Sequence, residues 1–329
     1  NQVEPFPANR GRRMTGIEGK RDHGGGVDGA ASRYGGTRAD WIDLSTGINP
    51  LPYPVPGFTA DAWTALPDRG AFDALYAAAR DFWQVPDSLG ILAAPGASAL
   101  IARIPALVPA GRVHIPAPTY NEHWAAFRAH GWQAGEGGAF VVVHPNNPDG
   151  RVWSETDLGG DRPLTMIDES FCDVMPEASL VHLAERPGTI VLKSFGKFWG
   201  LAGLRLGFAI ARPKTVDRLA EMIGPWAVSG PGLATGAAAL RDHDWAKATR
   251  ARLGRDADRL DGMMRRAGAT VVGGTTLFRL YDVGDATVWQ DRLAQHQIWS
   301  RIFPYSDRWL RLGLPGPEPH WARLEEALS

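Results

Sequence analysis

Lys193-Ser194-Phe195-Gly196-Lys197-Phe198-Trp199-Gly200-Leu201-Ala202-Gly203-Leu204-Arg205 comes directly after Thr189-Ile190-Val191-Leu192. The four residues that lead in are apolar or β-branched throughout, the pattern of a short strand buried on both faces. The longer segment reads as a loop with two lysines, a serine, an arginine and the glycines Gly196, Gly200 and Gly203. A buried strand that empties into a polar, glycine-rich loop is the unit from which the rest of the chain can be read. The same grammar recurs upstream at 91–94, 113–115, 140–143 and 164–167, and downstream at 206–210, with helical stretches at 98–107 and 121–130 between. Strands that alternate with helices specify a parallel or mostly parallel sheet, so the expected fold class is α/β.

After Pro213 the pattern turns helical. Val216, Leu219, Ala220 and Ile223 fall on one face, with Gly224 as the stop. The Pro/Gly-rich stretch 224–232 reads as a joint, followed by a long charged helical stretch to Arg266, strand candidates at 270–272, 277–281, 298–303 and 309–312, and a closing helix that buries Trp321, Leu324 and Leu328. The expected organisation is an N-terminal arm over 1–50, a large α/β domain over 51–225 and a smaller α+β domain over 226–329.

Composition removes several function classes. The 35 basic and 36 acidic residues leave a net charge of −1, which gives no bulk electrostatic case for nucleic acid or an anionic membrane. The longest uncharged stretch, 223–240, is broken by Pro225 and Pro231 and cannot span a bilayer as one helix. Arg10, Arg12, Arg13, Lys20 and Arg21 have no apolar run behind them and read as a polar arm, not a secretory signal. The single cysteine, Cys172, excludes an intramolecular disulfide and a multi-cysteine metal cluster; it reads as a small buried hydrophobe in a cytoplasmic protein with no metal site.

Ligands of open α/β sheets sit outside the carboxyl ends of the strands. Those ends carry Asp168-Glu169, the loop with Ser194, Lys197 and Arg205, the turn His144-Pro145-Asn146-Asn147-Pro148-Asp149-Gly150, and Pro95-Gly96-Ala97-Ser98 opening a helix. An acid, a lysine, an amide and a glycine turn converge on one edge, a set suited to an aldehyde cofactor with a phosphate and a ring nitrogen.

The pattern S-x-x-K-x-x-G-L-A-G-L-R, with P-N-N-P-x-G and D-E-x-F upstream, resembles the fold-type I pyridoxal-phosphate enzymes of the class I/II aminotransferase group across residues 40 to 329. The finer match, on His23-Gly-Gly-Gly, Leu44-Ser-Thr-Gly-Ile-Asn-Pro50, Asp168-Glu-Ser-Phe171, Pro225-Trp-Ala-Val-Ser229 and Trp309-Leu-Arg-Leu-Gly-Leu-Pro315, is to the branch that decarboxylates L-threonine O-3-phosphate in cobalamin biosynthesis. The resemblance implies pyridoxal 5′-phosphate as cofactor and a homodimer. It implies Lys197 as covalent anchor, Asp168 at the ring nitrogen, Asn147 at the ring oxygen and Tyr120 stacked on the ring. Gly96, Ala97, Ser98, Ser194 and Arg205 would form the phosphate cup. Arg311 would take the substrate carboxylate, and His23, Gly47, Asn49 and Asn147 would complete the substrate site.

Two positions depart from the aminotransferase pattern. Phe171 stands where a tyrosine often faces the cofactor oxygen, and Leu66 replaces a tyrosine that often reaches a phosphate across the dimer. Both favour decarboxylation over an aminotransferase acting on a phosphorylated substrate such as histidinol phosphate. A non-catalytic regulator is a third reading, opposed by the retention of Lys197, Asp168 and Arg205.

Overall fold

The computed structural model describes residues 23–329; Arg10, Arg12, Arg13, Lys20 and Arg21 lie outside the described residues. The large sheet has seven strands in the order Gly90–Ala94, Gly207–Ala211, Thr189–Ser194, Thr165–Asp168, Ala139–Val143, Arg112–His114 and Gln133–Ala134. Gly207–Ala211 runs antiparallel to both its neighbours, and the remaining pairs are parallel. Side chains alternate between the faces at period two. Ile91, Val142, Ile167, Val191 and Phe208 enter one core, while Leu92, Val141, Met166, Ile190 and Ala209 enter the other. Both faces are covered, which is why these strands read as unbroken apolar runs.

Several boundaries differ from the sequence reading. The helical stretch 98–107 divides into Ala97–Ile101 and a 3-10 turn, Ile104–Leu107, because Pro105 has no N–H to donate to the carbonyl one turn earlier. The run 298–303 divides at Ser300: Ile298–Trp299 pairs in parallel with Ile42–Asp43, and Arg301–Phe303 pairs antiparallel with Ser306–Gly313. The closing helix Glu318–Leu328 buries Trp321, Leu324 and Ala327, leaving Leu328 at its margin. Helix Pro213–Ile223 ends at Gly224, whose φ of 85° suits glycine.

A second sheet of four antiparallel strands, Arg301–Phe303, Ser306–Gly313, Phe278–Asp282 and Thr270–Thr275, stands with the helix His243–Arg266. Helix Gly230–Arg241, which lies beyond the Pro/Gly joint, packs on helix Arg69–Phe82 at the large sheet. A Cβ on Gly236 would lie 2.6 Å from Leu206 and 2.8 Å from Leu75. No helix of the described residues is long and apolar enough to cross a membrane.

The turn after strand Ala139–Val143 is held against the second sheet. The amide of Gly274 donates to the carbonyl of Asp149 at 2.8 Å, and Gly150, at φ +75°, leaves no room for a Cβ, which would sit 2.0 Å from the carbonyl oxygen of Gly274. This contact fixes the loop that carries Asn147. Gly150→Ala is expected to lower unfolding stability by at least about 1–3 kcal/mol through its left-handed backbone alone. A urea titration showing a loss below about 0.5 kcal/mol would mean that the two backbones do not meet in this way.

Candidate active site

Asp168 closes strand Thr165–Asp168 and is 3% exposed. One carboxylate oxygen lies 2.9 Å from His123 Nε2, and the other accepts from the Ser170 hydroxyl at 2.5 Å and the Ser170 amide at 3.0 Å. Burial pushes this carboxyl up, but the contacts with His123 and then Ser170 outweigh it and hold the group below the usual carboxylate range. The charge is therefore retained in the interior.

The loop after strand Thr189–Ser194 presents two lysines with opposite fates. Lys193 Nζ lies 2.5 Å from a Glu169 oxygen and 3.9 Å from an Asp173 oxygen, and these acids push its pKa up despite burial. Burial and the Arg311 guanidinium push Lys197 down to about 8, against the pull of Asp168. Lys193 is a fixed cation; Lys197 is an amine that can be free near neutral pH. Cys172 lies beside Lys193, fully buried, with its thiol pushed up by burial. Its neighbours His144 and Glu169 are committed to Ala178, Trp153, Ser179, Leu180 and Lys193.

Two cavities meet at Lys197, sharing Tyr120, Asn147 and Phe171 as walls. The first, about 240 Å³, is lined by Ala97, Ser98, Asp168, Ser194 and Arg205. Gly96, at φ +85°, lies flat beneath the guanidinium: a Cβ there would be 2.5 Å from Arg205 Nη2. Beside it the amides of Ala97 and Ser98 open a helix of five residues, where first-turn N–H groups have no partner within the helix. Arg205 itself is in the left-handed region, donates to the Ala202 carbonyl at 3.1 Å, and is exposed.

The second cavity, about 280 Å³, is lined by His23, Gly47, Arg301, Tyr305 and Arg311 among others. Arg311, 5% exposed, donates to the carbonyl of Ser45 at 2.6 Å and to the side-chain oxygen of Asn147. That bond orients the Asn147 amide, leaving its NH₂ end for another acceptor. Gly47 makes room for the Phe171 and Phe278 rings, which a Cβ would approach to 3.0 and 2.7 Å. His23 reaches the cavity, but its Nε2 lies 2.9 Å from Glu122, and the adjoining Gly25 amide donates to the Ser45 hydroxyl. His23 and Gly25 are thus tied to the body, and the Gly25 amide is not bare.

Asn49 does not line either cavity. Its NH₂ donates to the Phe198 carbonyl, and its side-chain oxygen accepts from the Leu51 amide and Arg252. Its side chain is engaged by these partners outside both cavities, whereas the sequence expectation places it in the substrate site. Sequence reasoning also passed over His123 and Arg301. His123 shares the inward face of helix Asn121–Ala129 with Phe127, and Arg301 opens the strand Arg301–Phe303 directly after Ser300. For His123, a polar residue four positions before Phe127 on the face that periodicity marks as inward was the available signal; Arg301, on the strand face opposite Leu310 and Leu312, carried none.

Residues 133–328 match the family Aminotransferase class I and II. The chain belongs to this family. A threonine-phosphate decarboxylase of Sinorhizobium sp is 40% identical over 93% of this chain and 97% of its own length. A histidinol-phosphate aminotransferase of Symbiobacterium thermophilum is 31% identical over 44% of this chain and 42% of its own. Among solved structures, histidinol-phosphate aminotransferase from Sinorhizobium meliloti in complex with pyridoxal-5′-phosphate aligns with a TM-score of 0.79 at 21% identity, covering 92% of this chain and 93% of that one. The fold is that of the fold-type I pyridoxal-phosphate enzymes. The family's cofactor carries an aldehyde, a ring nitrogen and a phosphate, and the donor set fits it: an amine that can be free, a buried ionised carboxylate, and a guanidinium beside helix-opening amides.

Only the free amine attacks an aldehyde, so capture should rise with pH through the Lys197 value. Borohydride trapping of pyridoxal 5′-phosphate on cofactor-free protein is expected to have its midpoint near about 8, and to be lost in Lys197→Ala. A midpoint above about 10, the ordinary lysine range, or an adduct that survives Lys197→Ala would place the anchor on another lysine.

Proposed function

We infer that this chain is a pyridoxal 5′-phosphate-dependent threonine-phosphate decarboxylase, which converts L-threonine O-3-phosphate to (R)-1-amino-2-propanol O-2-phosphate and carbon dioxide in cobalamin biosynthesis. The observation that carries the substrate class is a register. Arg301 and Arg311 are directly opposed partners in the antiparallel pair Arg301–Phe303 with Ser306–Gly313, and both line the cavity beside Lys197. Directly opposed residues project from one face with Cβ atoms about 4.5–5.5 Å apart, so two guanidinium-bearing residues stand side by side on one wall of the cavity. A small substrate with a carboxylate and a phosphate supplies two anionic groups. The end-to-end similarity to the decarboxylase, against a partial match to the aminotransferase, favours the same reading.

In this reading Arg311 holds the carboxylate, and Arg301 with His23 faces the phosphate. Asp168, kept ionised, sits at the ring nitrogen; Asn147 takes the ring oxygen, Tyr120 covers the ring, and Gly96, Ala97, Ser98, Ser194 and Arg205 hold the cofactor phosphate. When bound, the cofactor supplies the sink for the electron pair left at the α-carbon as carbon dioxide departs. Lys197 anchors the cofactor and then holds and delivers a proton at that carbon, a task suited to an amine with a pKa of about 8. Phe171 lines both cavities without a hydroxyl, so the ring oxygen relies on Asn147.

The working unit is proposed as a cytoplasmic homodimer built from an arm, a large α/β unit and a smaller α+β unit. Trp63 is 69% and Leu66 64% exposed, and the helix that carries Trp63 packs on Gly230–Arg241, whose preceding loop exposes Trp226. Ser98 and Arg205 of the phosphate cup are exposed as well. A second copy would cover both. Sedimentation of a fully active monomer at assay concentration would remove this part.

The deciding experiment is incubation with O-phosphothreonine with and without a 2-oxo acid. Carbon dioxide release without the oxo acid is expected; strict dependence on it would select transamination. His23→Ala and Arg301→Ala are each expected to lower kcat/KM about ten- to a hundredfold, the equivalent of losing a charge-assisted phosphate contact of roughly 1.5–3 kcal/mol, with the cofactor absorbance unchanged. If both variants stay within about twofold, the substrate phosphate is held elsewhere.

A further inference from the structure

We propose that Asn49 is a positioning residue for Lys197, and that it ties the lysine loop to the helix His243–Arg266 through Arg252. This rests on the roles given above to Lys197 and Arg311. The Asn49 backbone amide donates to the Lys197 carbonyl at 3.0 Å, its side-chain NH₂ donates to the Phe198 carbonyl at 2.9 Å, and the Tyr53 amide donates to the Trp199 carbonyl at 2.9 Å. Consecutive carbonyls of the lysine loop are therefore fixed by one short segment. Gly200 lets that segment approach, since a Cβ there would be 2.8 Å from the Asn49 carbonyl oxygen. From the other side Arg252 Nη2 donates to the Asn49 side-chain oxygen at 2.6 Å, while Arg252 Nη1 is held by Asp256 of the same helix at 2.9 Å.

The same segment also seats the carboxylate grip. The Ser45 carbonyl accepts from Arg311 Nη2, and the Leu44 carbonyl accepts from the Gly313 amide at 2.7 Å. Residues 44–53 thus span the distance between Arg311 and Lys197, and Asn49 is where that strap is clamped on both sides. A carboxamide meets both demands at once, its NH₂ donating to a carbonyl and its oxygen accepting from a guanidinium. Aspartate keeps the acceptor but turns an oxygen toward the Phe198 carbonyl; alanine keeps neither.

The test uses the holoenzyme of Asn49→Ala, Asn49→Asp, Arg252→Gln and the double variant Asn49→Ala/Arg252→Gln. A displaced Lys197 should lower kcat about ten- to a hundredfold, while KM for O-phosphothreonine stays within about twofold. Asn49→Asp should not rescue kcat, and the double variant should match Asn49→Ala instead of multiplying the two losses. In cofactor-free protein the trapping midpoint should rise above about 8 as water reaches Lys197, whose charged neighbours Arg311, Asp168 and Arg205 are unaltered. A fall in unfolding midpoint with kcat and trapping midpoint unchanged overturns the proposal, as does multiplication of the losses in the double variant. Should Asn49→Ala not fold, Arg252→Gln decides: lower kcat at constant KM supports the clamp, and unchanged kcat overturns it. Loss of the adduct in Lys197→Ala with unaltered kcat in the Asn49 variants overturns the clamp alone; an adduct retained in Lys197→Ala overturns both readings.

Discussion

An ionised carboxylate buried at the end of a central strand is the constraint around which this molecule is arranged. Asp168 pairs through its backbone with strands on both sides, so it can neither reach solvent nor move aside. A charge in that position is tolerable only with hydrogen bonds on its oxygens, and the fold supplies them from two directions, His123 from helix Asn121–Ala129 and Ser170 from the turn after the strand. The helix placement has consequences of its own. The residues that open it include Tyr120 and Glu122, so the turn that seats His123 on Asp168 also sets a wall of both cavities and the partner of His23. One short turn links the buried acid to the arm.

Environment, not residue type, then separates the two lysines. Lys193 lies within the strand and is enclosed with Glu169 and Asp173, the second of which Trp83 and Trp199 also contact through their indole N–H groups. A buried cation between acids stays charged and cannot attack an aldehyde. Lys197, past the strand end, is enclosed instead with Arg311 and Arg205 nearby and Asp168 as the opposing charge, and its balance falls toward the free amine. The four-residue offset between them moves one ammonium from a structural pair to the meeting point of two cavities.

Much of this was legible in the sequence because a doubly covered sheet delivers its strand ends to one edge. Once 140–143, 164–167 and 189–192 are read as neighbouring parallel strands, Asn147, Asp168 and Lys197 have to converge. What could not be read depends on rotation and tertiary contact. His123 looks like any helix residue until the helix is docked. Asn49 sits in a segment without regular structure, where no period says which way a side chain points, while its motif neighbour Gly47 lines the second cavity and Ser45 accepts from Arg311. The arm was legible as a contributor to the site, but its contacts with Glu122 and Ser45 were not, since they join residues far apart in sequence.

The register of Arg301 and Arg311 shows how the second sheet serves the edge of the first. A β-bulge between Ile302 and Phe303 shifts the pairing beyond the hairpin end, but Arg301 and Arg311 remain opposed on the regular part of the ladder. Slipping the strand by one residue would send Arg301 to the opposite face and bring an apolar neighbour to the cavity. Apolar burial fixes that register: Leu310 and Leu312, which flank Arg311, are fully buried on the other face. That packing sets Arg301 and Arg311 side by side on the cavity wall, and the Ser45 carbonyl of the strap 44–53 accepts from Arg311. Leucine packing on one face of the ladder thus decides which side chains line the cavity on the other.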